Sequence, residues 1–192
     1  MGKFRIGVYF KTNFRGNPLS GENMSYLPSS PNLNSFGGML AKYPRRGILL
    51  FKLLEDIKSS FSPLSKEMRE LIITYISGLN HCEFFYKAHK EKAKELGIDE
   101  AVFDQLQTDI SATNVDEKLK PLLHYIKKLT LTPDQITQTD AQRIFDAGWD
   151  EQALLESVDL CAIANCVNRF VTGIGIDLEV PGKMYKVQGV SV

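Results

Sequence analysis

Cys82, Phe85 and His89 are spaced at three and four residues, which places them on one stripe of a helix predicted over roughly residues 83–96. A thiol at the start of that helix faces unpaired backbone amides and the positive end of the helix dipole, and both favour the thiolate. His89 is placed to relay a proton to or from the sulfur. The stripe predicts thiol chemistry at Cys82. The alternative stays open that Cys82 is a small buried apolar side chain and His89 a hydrogen-bonded polar one.

Glu70 is the second candidate for proton transfer. From Leu71 to Cys82 the chain has no Asp, Glu, Lys or Arg, so the helix that carries this segment is predicted to be buried on all sides. Small, uncharged neighbours at the start of such a helix predict a partly desolvated carboxylate with a raised pKa, suited to proton transfer. The alternative is a first-turn acid that interacts favourably with the helix dipole.

The remaining cysteines and histidines do not extend this pattern. Three cysteines are an odd number and few for 192 residues, so a structural disulfide framework is not expected. Cys161 and Cys166 lie in an apolar stretch of the last predicted helix, and core packing is the expected role of both. His81, Cys82 and His89 offer neither a fourth ligand nor a Cys-x-x-Cys pair. We therefore expect no metal and no cofactor.

Composition and charge exclude several classes of protein. Hydrophobic residues make up 43% of the chain, and 23 basic residues balance 23 acidic ones. A chain without net charge lacks the electrostatic footprint of a nucleic-acid-binding or anionic-membrane-binding protein. No apolar run is long enough to span a bilayer, and the N-terminal residues lack the apolar core of a signal peptide. A cytoplasmic location is expected.

The chain divides into an arm, a helical domain and a tail. Residues 1–38 are rich in Gly and Pro and are predicted to be an irregular arm with one short strand at Phe4–Phe10. Residues 39–180 form the predicted domain, and residues 181–192 a C-terminal tail. The domain is predicted to be all-α, with six or seven helices. They are expected at about residues 46–59, 65–79, 83–96, 99–109, 116–130, 137–147 and 149–175.

The segment around Cys82 resembles the redox motif of the alkylhydroperoxidase D-like (AhpD-like) or carboxymuconolactone decarboxylase family. That motif is a Glu, eleven residues, and then Cys-x-x-Cys-x-x-x-His, which Glu70, Cys82 and His89 match. Residues 65–70, Ser-Lys-Glu-Met-Arg-Glu, resemble the family's "LS-x-R-E-R-E", and residues 80–84, Asn-His-Cys-Glu-Phe, resemble its "N-G-C-E-Y". The second half resembles the peroxidase-related branch at Lys118–Leu131, Ala147–Trp149 and Asn168-Arg169 before Gly173. The resemblance covers about residues 40–177 and implies an AhpD-like helical bundle.

The chain departs from the motif at Phe85, which stands where the family has its second cysteine. In the family one thiol attacks the hydroperoxide and the other resolves the sulfenic acid into a disulfide. The resemblance therefore implies thiol-dependent hydroperoxide reduction through Cys82, Glu70 and His89, impaired by Phe85. Two alternatives remain open: a non-catalytic oligomeric scaffold or binding protein, and decarboxylation of a lactone.

The expected partners follow from the same resemblance. The family assembles as trimers or hexamers, so a homo-oligomer is expected, with a dimer as a further option. An active protein would take a small organic hydroperoxide and an external thiol reductant. Four aromatic residues suggest an apolar pocket, which favours organic hydroperoxide over hydrogen peroxide: Phe84, Phe85, Tyr86 and Phe103. No nucleic acid and no membrane are expected as partners. Asn168 and Arg169 are interpreted as hydrogen-bonding residues between helices, and Trp149 as a packing anchor.

Overall fold

The computed structural model describes residues 25–59 and 61–176, which form eight α-helices, one 3-10 turn and no strand. The predicted all-α fold is confirmed. The predicted helices correspond to α2–α8, and α1 is an additional helix that begins inside the segment predicted to be irregular. The strand predicted at Phe4–Phe10 lies outside the described residues, and the domain limits stay predictions. The helices are Phe36–Lys42 (α1), Pro44–Ser59 (α2), Lys66–Leu79 (α3), Glu83–Glu95 (α4), Glu100–Thr108 (α5), Leu119–Leu131 (α6), Gln138–Asp146 (α7) and Glu151–Gly173 (α8).

Helix α3 is the centre of the fold. Ser65 caps its first turn, because its hydroxyl accepts a hydrogen bond from the Met68 amide. The helix is buried continuously from Arg69 to Ser77 and packs against α4, α5, α6 and α8. The uncharged segment therefore is the buried helix that the sequence predicted. Its burial positions Glu70 inside the protein.

A short turn reverses the chain between α3 and α4. The start of α3 lies beside the end of α4, because Glu70 contacts both His89 and Lys92. The turn holds His81 at φ = +52°, a left-handed conformation that glycine adopts more easily than histidine. Gly97, at φ = +97°, follows the C-terminal end of α4 as the sequence predicted.

Helices α1 and α2 pack against each other and cover the start of α4 and the end of α8. They approach each other closely at Gly47, where a side chain would collide with the Leu40 carbonyl oxygen. Half-buried apolar side chains of both helices pack on a small cluster formed by Cys82, Phe85, Val167, Val171 and Ile176. These covering residues are Phe36, Met39, Leu50 and Leu54. Within the described part of the chain, no helix is both long and apolar enough to cross a bilayer.

Candidate active site

Cys82 is the N-cap residue of α4, at the helix start where the sequence placed it. Its side chain is 3% exposed and belongs to the small apolar cluster under α1 and α2. The Cys82 side chain makes no capping hydrogen bond to the first turn of α4. The backbone of Phe85 and Phe84 and the side chain of Thr172, at the end of α8, are nevertheless near enough to lower the pKa of the thiol.

Burial nevertheless raises the pKa of Cys82, and it outweighs the hydrogen bonds from Phe85, Thr172 and Phe84, which lower it. The sequence-based expectation of an activated thiolate is therefore wrong for this closed structure. The amides act in the expected direction, but desolvation of the charged form is the larger effect. A reactive thiolate requires that water or substrate reach the sulfur.

Glu70 forms a largely buried triad with two residues of α4, His89 and Lys92. Its Oε2 lies 2.6 Å from His89 Nδ1, and its Oε1 lies 2.7 Å from Lys92 Nζ. Glu70 and His89 are both almost fully buried, whereas about a third of the Lys92 side chain is exposed. Both carboxylate oxygens are thus engaged, which fixes the position of Glu70 between the two helices.

The charge state of this triad differs from the expectation. Burial alone raises the pKa of Glu70, but the hydrogen bonds and charges of His89 and Lys92 outweigh it and lower the pKa to about 2. The predicted raised pKa is therefore wrong, because the interactions with His89, and then with Lys92, outweigh the effect of burial. Burial also lowers the pKa of His89, and the opposing effect of Glu70 is smaller. A neutral His89 donates its Nδ1–H to Glu70 and keeps Nε2 as a proton acceptor.

Phe85 occupies the helix position between the sulfur and the imidazole. Its ring stacks beside His89 with centroids 5.9 Å apart, and it meets Phe36 and Phe84 edge to face at 5.2 and 5.0 Å. Among the described residues no hydrogen bond joins His89 to Cys82. The Phe85 ring thus occupies the position one turn along α4 from Cys82, between aromatic neighbours from α1 and α4.

The aromatic pocket predicted from four residues is formed by fewer of them. Phe84 and Phe85 line the Cys82 cluster together with Phe36 from α1. Phe103 instead belongs to the large hydrophobic core, and Tyr86 stacks with the Lys90 ammonium at 5.9 Å. The aromatic surface near the thiol therefore combines α4 with α1, which sequence spacing alone did not indicate.

The other described cysteines lie on α8 in surroundings that differ from those of Cys82. Cys82 belongs to the small apolar cluster, whereas Cys161 belongs to the large hydrophobic core. Cys161 is buried in the core, as predicted. Cys166 is exposed, so its predicted role in core packing is wrong. Cys161 and Cys166 are five residues apart and lie on the buried and the exposed face of α8. The apolar composition of this stretch did not reveal which face each residue occupies.

The other residues from the resemblance have structural contacts. Asn168 is buried and hydrogen-bonds the Ser77 hydroxyl at 3.4 Å, which links α8 to α3. Arg169 is exposed and donates to Asn165 within its own helix, so its interpretation as an interhelical residue is wrong. Trp149 is nearly buried, and its indole N–H donates to the Lys118 carbonyl at 2.6 Å. This supports the packing role of Trp149.

Sequence reasoning missed three residues around the site: Lys92, Thr172 and Lys58. Lys92 lies three residues after His89 on the same stripe of α4, so continuing the spacing could have found it. Thr172 reaches Cys82 only through the packing of α8, and no local signal marks it. Lys58 lies at the end of α2, and its pKa is lowered chiefly by burial and also by Lys92.

Known structures share this fold. A peroxidase-related protein from Silicibacter sp. TM1040 superimposes with a TM-score of 0.66 and 20% identity, over 71% of this chain and 72% of that one. A peroxidase-related protein from Ralstonia eutropha JMP134, described as an alkylhydroperoxidase AhpD core, superimposes with a TM-score of 0.67 and 19% identity. The match covers 72% of this chain and 73% of that one. A protein of unknown function from Agrobacterium tumefaciens, provisionally described as the antioxidant defence protein AhpD, superimposes with a TM-score of 0.64 and 16% identity. The match covers 74% of this chain and 96% of that one.

These similarities define the fold. The chain matches no protein-family model and no curated protein. At 16–20% identity, the structural neighbours establish an AhpD-like helical architecture. The AhpD-like fold expected from the sequence is therefore confirmed.

Proposed function

We propose that this AhpD-like protein is a peroxidase-related oxidoreductase that reduces small organic hydroperoxides slowly through Cys82. The observation that carries this proposal is the buried Glu70–His89 pair, joined at 2.6 Å on the helix that begins at Cys82. A buried carboxylate that fixes the tautomer of an imidazole is an arrangement suited to proton transfer. The AhpD-like fold of the chain agrees with this assignment.

The reaction requires two stages. In the first, the Cys82 thiolate attacks the terminal peroxide oxygen, the O–O bond breaks, and a sulfenic acid and an alkoxide form. The thiol proton passes to His89 Nε2, through water or after movement of Phe85, and from there to the alkoxide, which leaves as an alcohol. In the second, an external thiol attacks the sulfenic sulfur and releases water. A second external thiol then reduces the mixed disulfide and restores Cys82.

Phe85 and burial make this cycle slow. The Phe85 ring stands at the position of the family's resolving thiol, and the other described cysteines are one buried in the large core and one exposed on α8. The raised pKa of Cys82 also reduces the thiolate fraction at neutral pH, mainly because the sulfur is buried. Turnover therefore depends on opening the cover of α1 and α2 and on the concentration of external thiol.

A non-catalytic scaffold or binding protein is the second candidate. The observation in its favour is the same burial of Cys82, since an inert structural thiol is typically buried among apolar side chains. In that case the Glu70–His89–Lys92 triad would only connect α3 to α4. The two candidates differ in whether the sulfur reacts in the folded protein.

We also propose that the chain forms a homo-oligomer, a trimer or hexamer as expected from the resemblance, in the cytoplasm. Helices α2 and α8 expose large apolar side chains: Leu49, Leu53, Leu155 and Phe170. Exposed apolar surface of this kind is typical of protein–protein contacts. Light scattering that gives the mass of one chain at micromolar concentration would contradict this proposal.

The peroxidase proposal is tested by hydroperoxide consumption with excess dithiothreitol. We expect slow turnover of cumene hydroperoxide by the natural protein and its complete loss in Cys82→Ser. Cys166→Ser is the matched control, because Cys166 is an exposed thiol on another helix, and it should retain the activity. Equal rates for the natural protein and Cys82→Ser would exclude Cys82 chemistry and favour the scaffold.

A further inference from the structure

We propose that Lys92 is a positioning residue of the Cys82 site, whose ammonium balances the Glu70 carboxylate so that His89 stays a neutral proton acceptor. This inference rests on the proposed function and assigns a role in it to a residue outside the Glu-Cys-His pattern. The contacts that carry it are made by the two oxygens of one carboxylate. Glu70 Oε2 lies 2.6 Å from His89 Nδ1, and Oε1 lies 2.7 Å from Lys92 Nζ.

The Glu70 carboxylate needs a positive charge beside it to remain ionised in this position. Only 6% of its side chain is exposed, and burying a carboxylate without a compensating charge is strongly unfavourable. The two groups that the structure records at hydrogen-bonding distance from its oxygens are Lys92 and His89. Either the lysine or a protonated histidine therefore balances the carboxylate.

The surroundings of the two partners favour the lysine as the charged one. About a third of the Lys92 side chain is exposed, so its ammonium stays partly hydrated. The His89 ring is almost fully buried and stacks beside the Phe85 ring with centroids 5.9 Å apart. An imidazolium is costly in such an apolar position, and burial accordingly lowers the pKa of His89. The triad thus consists of an anion, a cation and a neutral imidazole.

Removal of the Lys92 charge forces an additional proton onto the Glu70–His89 pair. If the carboxylate stays ionised, His89 becomes an imidazolium and carries a proton on both ring nitrogens. If Glu70 takes the proton instead, its hydroxyl donates to Nδ1 and the ring proton moves to Nε2. In both cases Nε2 carries a proton and cannot accept one from the thiol. Lys92 is therefore needed to keep Nε2 free.

The other charges that act on His89 do not replace this role. Glu70, on α3, raises the pKa of His89, whereas Lys58, on α2, and Lys92, on α4, lower it. The direct effect of Lys92 on His89 is smaller than that of Lys58, so Lys92 acts chiefly through the carboxylate that it contacts. Lys58 remains in every variant tested below, so it contributes equally to all of them.

Nitrogen-15 NMR of the histidine rings reports the protonation of His89 without any need for turnover. The protein has three histidines, and comparison with His89→Gln assigns the signals of this ring. At neutral pH we expect a neutral ring with its proton on Nδ1 in the natural protein and a proton on Nε2 in Lys92→Met. Where the imidazolium forms, the pKa of His89 should rise by about one pH unit or more.

Lys94→Met is the matched control. Its side chain is about a third exposed, like that of Lys92, and lies on the same helix, but it pairs with the exposed Glu91 and Glu100. It should keep the natural state of His89. Lys92→Arg should also keep it, because a guanidinium stays charged and donates to a carboxylate. Thermal unfolding verifies that each variant is folded. A neutral His89 with its proton on Nδ1 in folded Lys92→Met would overturn the inference, as would the same change in Lys94→Met.

Hydroperoxide consumption separates the inference from the proposed function. If both hold, Lys92→Met should be at least about tenfold slower than Lys94→Met at neutral pH, as a pKa difference of one unit implies. The loss should shrink as the pH rises and the additional proton leaves, whereas mere structural damage would slow the reaction equally at every pH. An inactive natural protein in which Lys92→Met still moves a proton to Nε2 would contradict the proposed reaction while supporting this role of Lys92. Equal activity of the two lysine variants would overturn the inference and leave Cys82 chemistry intact.

Discussion

Phe85→Cys is the substitution that most clearly separates a missing resolving thiol from other causes of slow turnover. It places a second thiol three residues after Cys82, on the same face of α4. We expect an intrahelical disulfide between Cys82 and the introduced thiol to close after oxidation, and dithiol-dependent turnover to rise at least about tenfold.

The cost of the substitution follows from the surroundings of the ring. Phe85 is 8% exposed and touches the rings of Phe36, Phe84 and His89. Complete truncation of a buried Phe to Ala costs about 3–5 kcal/mol. Cysteine keeps the Cβ and adds a sulfur, so we expect a loss of roughly 2–4 kcal/mol. This is below the typical total of about 5–15 kcal/mol, so the variant should remain folded, with Tm lowered by roughly 5–15 °C.

The assay compares cumene hydroperoxide consumption by three proteins with dithiothreitol as reductant. Phe85→Ala is the matched control, because it opens a similar cavity without supplying a thiol. If the gain came only from better access to Cys82, Phe85→Ala and Phe85→Cys would be accelerated equally. Non-reducing mass spectrometry of Phe85→Cys should show a loss of two hydrogens after one equivalent of hydroperoxide.

One result would refute the reasoning about Phe85 directly. A folded Phe85→Cys protein that forms no disulfide after oxidation of Cys82 would show that the first turn of α4 cannot bring the two sulfurs together. Rapid turnover by the natural protein would also contradict it, because the account requires the absence of a resolving thiol to limit the rate.

Three further predictions concern stability and assembly. His81→Gly should relieve the left-handed conformation and stabilise the protein by up to about 1 kcal/mol, seen as a small rise in Tm; an unchanged or lower Tm would show that His81 is not strained. Because the pKa of Glu70 is lowered from 4.5 to about 2, its stabilisation should be present above pH 4.5 and be lost as the pH falls towards 2. Lys92→Met should narrow the pH range over which this stabilisation is lost, as measured by urea unfolding at a series of pH values. An identical pH dependence of stability in the natural protein and in Lys92→Met would refute the assigned role of Lys92. Phe170→Lys, on the exposed face of α8, should reduce the oligomer mass in light scattering. Leu131→Lys on α6, which replaces an equally exposed apolar residue, should leave the mass unchanged. Equal effects of the two substitutions would argue against α8 as the subunit interface.

The sequence predicted the fold well because its signals are local. The uncharged run after Glu70 indicated a fully buried helix, and Ser65, Gly97 and Gly148 marked helix limits through capping and turn chemistry. Helix α1 was missed because it is short and lies among glycines and prolines, where its stability comes from packing on α2.

The electrostatics of the site could not be predicted in the same way. The stripe on α4 placed Cys82 and His89 correctly, but the pKa shifts depend on the balance between burial and partners from other helices. His89 and Lys92 together lower the pKa of Glu70 against the effect of burial, and burial under α1, α2 and α8 raises the pKa of Cys82. The exposure of Cys166 could not be predicted for the same reason, because the packing of α8 decides which face of this apolar helix is exposed.

The most direct test of the account is the oxidation state of Cys82 after a single equivalent of cumene hydroperoxide in the absence of reductant. Dimedone labelling followed by peptide mass spectrometry should find a sulfenic acid on Cys82, with Cys161 and Cys166 unmodified. No intramolecular disulfide should form within the chain. An unlabelled Cys82 in the folded protein, or a disulfide that joins it to either cysteine of α8, would contradict a single-thiol peroxidase site.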